Sequence, residues 1–290
     1  MTPGHSKALF VSAYVGFLSI TLLFILYQWA MGVPVLAWLG LLLSILPGVL
    51  YFSVLYLFKN IARTGIHMET GTRFTLFASL FALVSLDTSE FPVLVYVWVV
   101  VAALGWLVYV YWGTNLSDRK PAKVQVGQKM PDQHLKDHTG RSRALSDFFN
   151  APAVFVFYRG NWCPFCVAQV KELARSYQLI REKGAHLVFI SPQNEVHTTR
   201  LATSLKIPAV FLVDKNLAAA KTLGILHQNG TPTGLEVLGY TTDNVLPTVI
   251  VTDQGGIVRF LHETDNYRIR PEPETYLEML NDSSIQTITQ

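Results

Sequence analysis

Long apolar runs occupy most of the first 112 positions of the chain. The run over 8–31 contains no charged residue. At about 1.5 Å of rise per helical residue, it exceeds the roughly 30 Å hydrocarbon core of a bilayer. Similar runs near 35–58, 72–89 and 91–112 predict three further helices, of which the third is short and could be re-entrant. We therefore expect residues 1–112 to form an α-helical transmembrane bundle of about four spans.

The pattern changes after a polar linker over 113–123. Short apolar runs then alternate with segments of helical periodicity, and Gly184 ends the first helical pattern as a residue just beyond a helix C-terminus. We interpret this alternation as a βαβ core with an antiparallel edge. It predicts an α/β domain over 124–290. The predicted strands are 152–158, 187–190, 211–213, 248–252 and 257–261, and the later helices are 196–205, 217–223 and 272–280.

Composition separates the same two parts. The chain is 50% hydrophobic and 15% charged, with a mean hydropathy of +0.31, against about 25% charged residues in typical soluble domains. Only seven charged residues occur before position 117. That region has no cysteine, and its two histidines, His5 and His67, lie outside the apolar runs. We expect it to be an anchor or docking surface rather than a transporter or quinone site.

Basic residues predict the orientation in the membrane. They precede the first helix, separate the second from the third, and follow the fourth. Four spans then place both termini and the C-terminal domain in the cytoplasm of a cell with a bacterial-type inner membrane; a count of three would make that domain extracytoplasmic. The three groups are Lys7; Lys59, Arg63 and Arg73; and Arg119, Lys120 and Lys123.

Two further charge features bear on function. Asp87 and Glu90 lie between the third and fourth runs, where a solvated turn is favoured over an intramembrane acid pair. The net charge of +3 is too small, and too mixed with acids, to indicate nucleic-acid binding.

The chain has two cysteines, Cys163 and Cys166, and they form one C-x-x-C motif. A structural zinc site is disfavoured because no second ligand pair follows at a suitable spacing, and a disulfide closing so short a loop would stabilise little. The motif falls between a predicted strand and a helix N-terminus. Since a helix N-terminus stabilises an anion, we expect Cys163 to have a lowered pKa and to attack, and Cys166 to resolve the mixed species.

Two neighbours of the motif are candidate supporting residues. Pro164 suits the first helical turn, where a missing N–H costs nothing. Arg159 either adds positive charge near the thiolate or is a solvated loop cation.

The motif and its surroundings resemble the thioredoxin fold, and within it the alkyl hydroperoxide reductase and thiol-specific antioxidant branch. The resemblance covers about 124–281 and implies that Pro247 is the family's cis-proline, with Trp162 and Thr248 as supporting residues. The similar segments are 127–132, 157–166, 190–193, 246–248 and 267–272. The chain departs from the peroxidases of that branch at two positions. Gly160 stands where those peroxidases have a Thr or Ser, and Val156 stands where they have a Pro. Phe157 replaces the buried carboxylate of thioredoxins.

The leading functional hypothesis is a membrane-anchored thiol–disulfide oxidoreductase. One alternative is a thiol-dependent peroxidase with Cys163 peroxidatic and Cys166 resolving, and another is a redox-sensing or docking module of a membrane complex. The expected partners are a protein or small-molecule disulfide or peroxide, a thiol electron donor and the lipid bilayer, with no nucleic acid, metal or cofactor.

Overall fold

A computed structural model describes residues 2–33, 38–85 and 93–281. Asp87 and Glu90 lie outside the described residues, so the predicted acidic turn is not addressed by it. Four long helices of the first half are α1 (Pro3–Ala30), α2 (Leu39–Phe58), α3 (Glu69–Ser85) and α4 (Val93–Val108), the last continued by a π-helical turn over Tyr109–Gly113.

Three of these helical segments are long and apolar enough to cross a membrane: α1, α2 and Val95–Gly113. Helix α3 has 17 residues, about 26 Å at 1.5 Å per residue, which is short for a span. The fourth predicted span therefore stays a prediction.

Close contacts between small and aromatic residues hold the helices together. A Cβ atom on Gly105 of α4 would lie 2.3 Å from the Tyr14 ring of α1, so only glycine permits this approach. The Tyr14 hydroxyl donates a hydrogen bond to the Ala102 carbonyl at 3.0 Å. Between α2 and the end of α4, the hydroxyls of Tyr51 and Tyr109 lie 3.1 Å apart.

The second half contains a seven-stranded sheet in the order β2-β1-β5-β4-β3-β8-β9. Strands β3, β4 and β5 run parallel, and β8 and β9 add antiparallel strands beyond β3, which confirms the predicted βαβ core and hairpin. The strands are β1 (His134–Asp137), β2 (Ser142–Ala144), β3 (Ala153–Phe157), β4 (His186–Ser191), β5 (Val210–Val213), β8 (Thr248–Thr252) and β9 (Val258–Glu263).

Helices cover both faces of the sheet. The predicted long helix after the cysteines is instead two helices, α5 (Pro164–Arg175) and α6 (Tyr177–Glu182), with Ser176 between them. The others are α7 (Glu195–Leu205), α8 (Ala218–Leu223) and α9 (Pro273–Asn281), and a separate ribbon pairs β6 (Leu226–His227) with β7 (Asn244–Val245).

Alternate residues of the central strands enter different cores. Val154 and Val156 of β3 pack with α5, α6 and α9, whereas Phe155 and Phe157 pack on the opposite face, as the two-residue period of a strand requires. The bundle contributes Leu55 of α2 to the first of these cores. The two halves therefore share a packed interface.

Buried cations join the α/β half to the bundle. Arg268 is fully buried and donates hydrogen bonds to Thr64 Oγ1 and to the carbonyls of Gly65, Ile66 and Val110. Two ion pairs, Arg63 with Glu172 and Lys7 with Asp118, cross the same interface. The start of α1 and the ends of α2 and α4 consequently lie against the α/β half.

Candidate active site

The two cysteines lie where β3 leads into α5. Strand β3 ends at Phe157 and α5 begins at Pro164, the first-turn position predicted for that proline. Cys163 is the N-cap residue, with φ −84° and ψ 106°, and Cys166 lies one turn into the helix. Both side chains are buried, at 3% and 1% exposure.

Hydrogen bonds hold the loop before Cys163 from two sides. The Gln193 side chain, after β4, accepts from the Asn161 N–H at 2.9 Å and donates to the Tyr158 hydroxyl at 3.0 Å. From the bundle side, Lys59 Nζ donates to the Asn161 carbonyl at 3.0 Å. The loop is therefore positioned jointly by the sheet and by the end of α2.

Gly160 explains one departure from the family's peroxidases. Its φ is +135°, and a Cβ there would lie 3.2 Å from Gln193 Oε1 and from the Trp162 ring. A Thr or Ser at this position would be strained. The backbone of this loop thus excludes the hydroxyl that those peroxidases carry three residues before the cysteine.

The two sulfur atoms share a hydrogen bond. Cys163 Sγ and Cys166 Sγ lie 2.7 Å apart, and both residues are free thiols. The guanidinium of Arg270, from the segment between β9 and α9, lies with Nη2 3.8 Å from Cys166 Sγ. One cation thus contacts the inner sulfur directly.

This geometry reverses the predicted order of the two thiol pKa values. Burial raises the pKa of Cys163, and the adjacent Cys166 raises it further. At Cys166 burial also raises the pKa, but the hydrogen bond with Cys163 and the charge of Arg270 outweigh it and lower the pKa to about 6. The prediction of a lowered pKa at Cys163 is wrong for this arrangement, because burial and the adjacent Cys166 raise that pKa.

Arg159 lies inside the site. The side chain is buried, at 5% exposure, so the solvated-loop alternative is wrong. Its guanidinium lies 4.7 Å from the centre of the Trp162 ring and 5.4 Å from that of Tyr267, and it donates to the Gly230 carbonyl. Its charge lowers the pKa of both cysteines.

Cys163 lines a cavity of about 50 Å³, room for a few water molecules. Arg159, Trp162 and Tyr267 form one side of it. The opposite side belongs to the bundle, with Ala8 and Val11 of α1, Phe52, Leu55 and Tyr56 of α2, and Tyr109 after α4. Transmembrane-type helices thus form one wall of the space in front of the reactive sulfur.

His227 also lines this cavity. Burial, with the positive charges of Arg159 and Lys7 nearby, lowers the pKa of His227 to about 3. The imidazole is therefore neutral at physiological pH, and the positive charge beside Cys163 comes from Arg159.

The peptide bond of Pro247 differs from the expectation. No peptide bond within 2–33, 38–85 or 93–281 is cis, so Pro247 is trans. Arg119 donates to the Pro247 carbonyl and to Thr248 Oγ1, which occupies these groups. Thr248 pairs with Phe157 across β8 and β3. Thr248 thus supports the strand before the loop.

Sequence reasoning missed several residues of the site. Arg270, Tyr267 and Gln193 all lie in segments that carried the family resemblance, which was the available signal. The bundle residues Leu55 and Tyr56 gave none, because apolar and aromatic side chains are expected anywhere along a membrane helix.

Known proteins similar to this chain were found by sequence and by structure. The AhpC/TSA family matches residues 126–261. Peroxiredoxin Q, chloroplastic, of Sedum lineare is 30% identical over 152 residues, covering 52% of this chain and 74% of that protein. The protein of the same name from Populus jackii is 32% identical over 104 residues, covering 36% of this chain and 49% of that protein.

Among solved structures, peroxidoxin BcpB from Mycobacterium tuberculosis is similar with a TM-score of 0.47 and 20% identity. The similarity covers 55% of this chain and 98% of that one. The family match includes both cysteines.

Proposed function

The chain belongs to the AhpC/TSA family of peroxiredoxin-like proteins, and from that premise we propose that it is a membrane-anchored thiol peroxidase. It is a thiol-dependent redox enzyme that acts on peroxides or disulfides. The finer assignment to peroxides, and the roles of individual residues, are our proposal.

The enclosure of Cys163 carries the choice of substrate. The sulfur is 3% exposed and faces a cavity of about 50 Å³ whose far wall is the helical bundle. A disulfide on the surface of a folded protein cannot approach this sulfur unless the helices move aside. A hydroperoxyl group, with two oxygen atoms, fits the space.

The proposed reaction uses both cysteines in turn. The Cys163 thiolate attacks the outer oxygen of the hydroperoxide ROOH, the O–O bond breaks, and the departing alkoxide takes a proton to give ROH, leaving Cys163 as a sulfenic acid. Cys166 then attacks that sulfur and releases water, which forms a Cys163–Cys166 disulfide. An external dithiol returns two electrons and two protons to complete the cycle.

Position supports this division of roles, because Cys163 lines the cavity and Cys166 does not. The lowered pKa of Cys166 keeps one negative charge on the pair. Cys163 becomes the attacking thiolate when its proton passes to the adjacent Cys166 sulfur. Arg159 would then stabilise negative charge on the peroxide oxygens, since its guanidinium lies beside the cavity.

Thiol–disulfide exchange is a second candidate because one observation favours it. Gly160 excludes the peroxidase hydroxyl. A small disulfide entering the cavity would then be the substrate.

Rapid mixing of the reduced full-length protein with hydrogen peroxide, or with hydroxyethyl disulfide, separates the two candidates. We expect peroxide to oxidise Cys163 at least a hundredfold faster than it oxidises free cysteine, and the small disulfide to react no faster than with a free dithiol. Cys166→Ser should stop after one turnover with a sulfenic acid trapped by dimedone, and Cys163→Ser should not react. The reverse preference for the disulfide would overturn the peroxidase assignment.

We also propose that the redox half lies in the cytoplasm, where a reducing environment supplies the electron donor. The basic groups that support this orientation lie on the side of the bundle that contacts the α/β half, as the contacts of Lys7, Lys59 and Arg63 place them. A reporter that works only in the cytoplasm should be active when it is fused at Gln290. A reporter that works only outside the cytoplasm should be inactive at the same position, and its activity would overturn the orientation.

A further inference from the structure

A second opening lies next to the cavity of Cys163, on the side of the bundle. It is a groove of about 450 Å³ between α1 and α2. Leu18, Leu22 and Leu23 form its α1 wall and Val49, Phe52 and Leu57 its α2 wall, with Ser19 and Ser53 at the surface. Since both helices qualify as membrane spans, the groove opens toward lipid rather than toward water.

The groove and the cavity adjoin each other. Phe52 and Tyr56 line both of them. On α1, Val11 lines the cavity and Val15, Leu18 and Leu22 line the groove, and steps of three or four residues keep these side chains on one face of the helix. The apolar lining residues therefore follow one path along α1 and α2, from the groove to the cavity beside Cys163.

Polarity changes along this path. The groove walls are aliphatic and aromatic, which suits a hydrocarbon chain. The cavity contains the buried guanidinium of Arg159 and the neutral imidazole of His227. Because a polar group is costly in hydrocarbon unless it is hydrogen-bonded, a hydroperoxyl group on an acyl chain is stabilised at the cavity end and the rest of the chain in the groove.

We propose that the groove between α1 and α2 binds the acyl chain of a membrane phospholipid hydroperoxide and delivers its peroxide to Cys163 from within the bilayer. This inference rests on the proposed peroxidase function and adds the bundle as an acyl-chain binding site. The lipid hydroperoxide is reduced to the lipid alcohol, while Cys163 is oxidised as described above. The helices thus bind substrate as well as anchoring the enzyme.

The test compares two peroxides in one preparation. The full-length protein is placed in nanodiscs that contain a linoleoyl phosphatidylcholine hydroperoxide. The rate at which it reduces this lipid is divided by the rate at which it reduces hydrogen peroxide. Ser19→Trp and Ser53→Trp fill the groove from opposite walls. Ile20→Trp, on the same helix, is the matched control because Ile20 is 67% exposed and does not line the groove.

We expect the lipid-to-hydrogen-peroxide ratio to fall at least tenfold in Ser19→Trp and Ser53→Trp and to stay within twofold of wild type in Ile20→Trp. An unchanged ratio in both groove variants, with folding verified by thermal unfolding, would overturn the groove as the entry route while leaving the peroxidase function standing.

A binding measurement separates failure of the groove from failure of the peroxidase. If the wild-type protein reduces neither peroxide, the proposed peroxidase function fails. The groove can then be tested alone with a photoreactive phosphatidylcholine that carries a diazirine on its acyl chain. Photolabelling at Val11 or Leu55, which line the cavity, supports acyl-chain entry. Labelling confined to outward positions such as Ile20 overturns it.

Discussion

At the residue scale, the ionisation of the cysteine pair depends on the contact between the two sulfurs and on a charge that is distant in sequence. Cys163 occupies the helix N-terminus, yet its side chain makes no capping contact. Cys166 Sγ is hydrogen-bonded with Cys163 Sγ, and Nη2 of Arg270 lies 3.8 Å from it. Because a hydrogen bond donated to the ionised form and an opposite charge nearby both favour that form, the lower pKa belongs to the inner cysteine.

Replacing Arg270 tests this assignment. We expect thiolate absorbance at 240 nm of the reduced wild-type protein to rise with pH through a midpoint near 6, since the lowered pKa of Cys166 is about 6 and the ionised form exists above it. Arg270→Gln should move this midpoint upward by about one unit or more.

Arg270→Lys, which keeps a positive charge, should restore most of the shift. Arg181→Gln, at an exposed position on α6, is the control and should titrate as wild type does. If Arg270→Gln left the midpoint unchanged, the cation would not be the cause of the lowered pKa.

At the element scale, the position of α1 determines the shape of the active-site cavity. Helix α1 packs against α4 where Gly105 meets Tyr14, and the preceding turns of α1 supply Ala8 and Val11 to the cavity wall. A change in helix packing should therefore alter the access of reagents to Cys163.

Gly105→Ala places a methyl group against a rigid ring and should cost about 1–3 kcal/mol of unfolding free energy. It should also speed alkylation of Cys163 by iodoacetamide, because α1 is displaced from the cavity. The measurements are thermal unfolding in detergent and the alkylation rate.

Gly16→Ala is the matched control on α1. A Cβ at Gly16 would meet nothing within 4 Å, so both measurements should stay close to wild type. Equal behaviour of the two variants would show that the Gly105 approach does not position α1.

At the scale of the whole molecule, the two halves form one structure around the active site. Arg268 is fully buried between them, and its four hydrogen bonds reach the loop after α2 and the end of α4. Leu55 of the bundle packs into the α/β core. The separate anchor expected from the sequence is thus also a structural part of the site.

Arg268→Ala should loosen this interface, because three backbone carbonyls would lose a buried donor at about 1–3 kcal/mol each. We expect a lower unfolding temperature and faster reaction of Cys163 with a polyethylene-glycol maleimide, which is bulky compared with the cavity of about 50 Å³. Arg181→Ala, on the exposed face of α6, should change neither. Unaltered maleimide reactivity in Arg268→Ala would indicate that the bundle does not enclose Cys163.

Much of the α/β fold could be predicted from local patterns. Strands β3, β4, β5, β8 and β9 have continuous or alternating apolar runs, and each was predicted within a few residues. Strands β1 and β2 were missed because His134, Lys136 and Ser142 are exposed polar residues at a sheet edge. Their strand conformation comes from the pairing of β1 with β5 and of β2 with β1, which the local sequence does not reveal.

The sequence by itself determined the division into an apolar helical part and an α/β part, and the place of the two cysteines between a strand and a helix. These features depend on periodicity and on neighbours a few residues apart. Only the tertiary structure decided which thiol has the lower pKa, that Arg159 is buried, and that α1 and α2 enclose Cys163. Arg270, Leu55 and Val11 lie about 100 residues or more from the cysteines along the chain, so their effect exists only once folding brings them together.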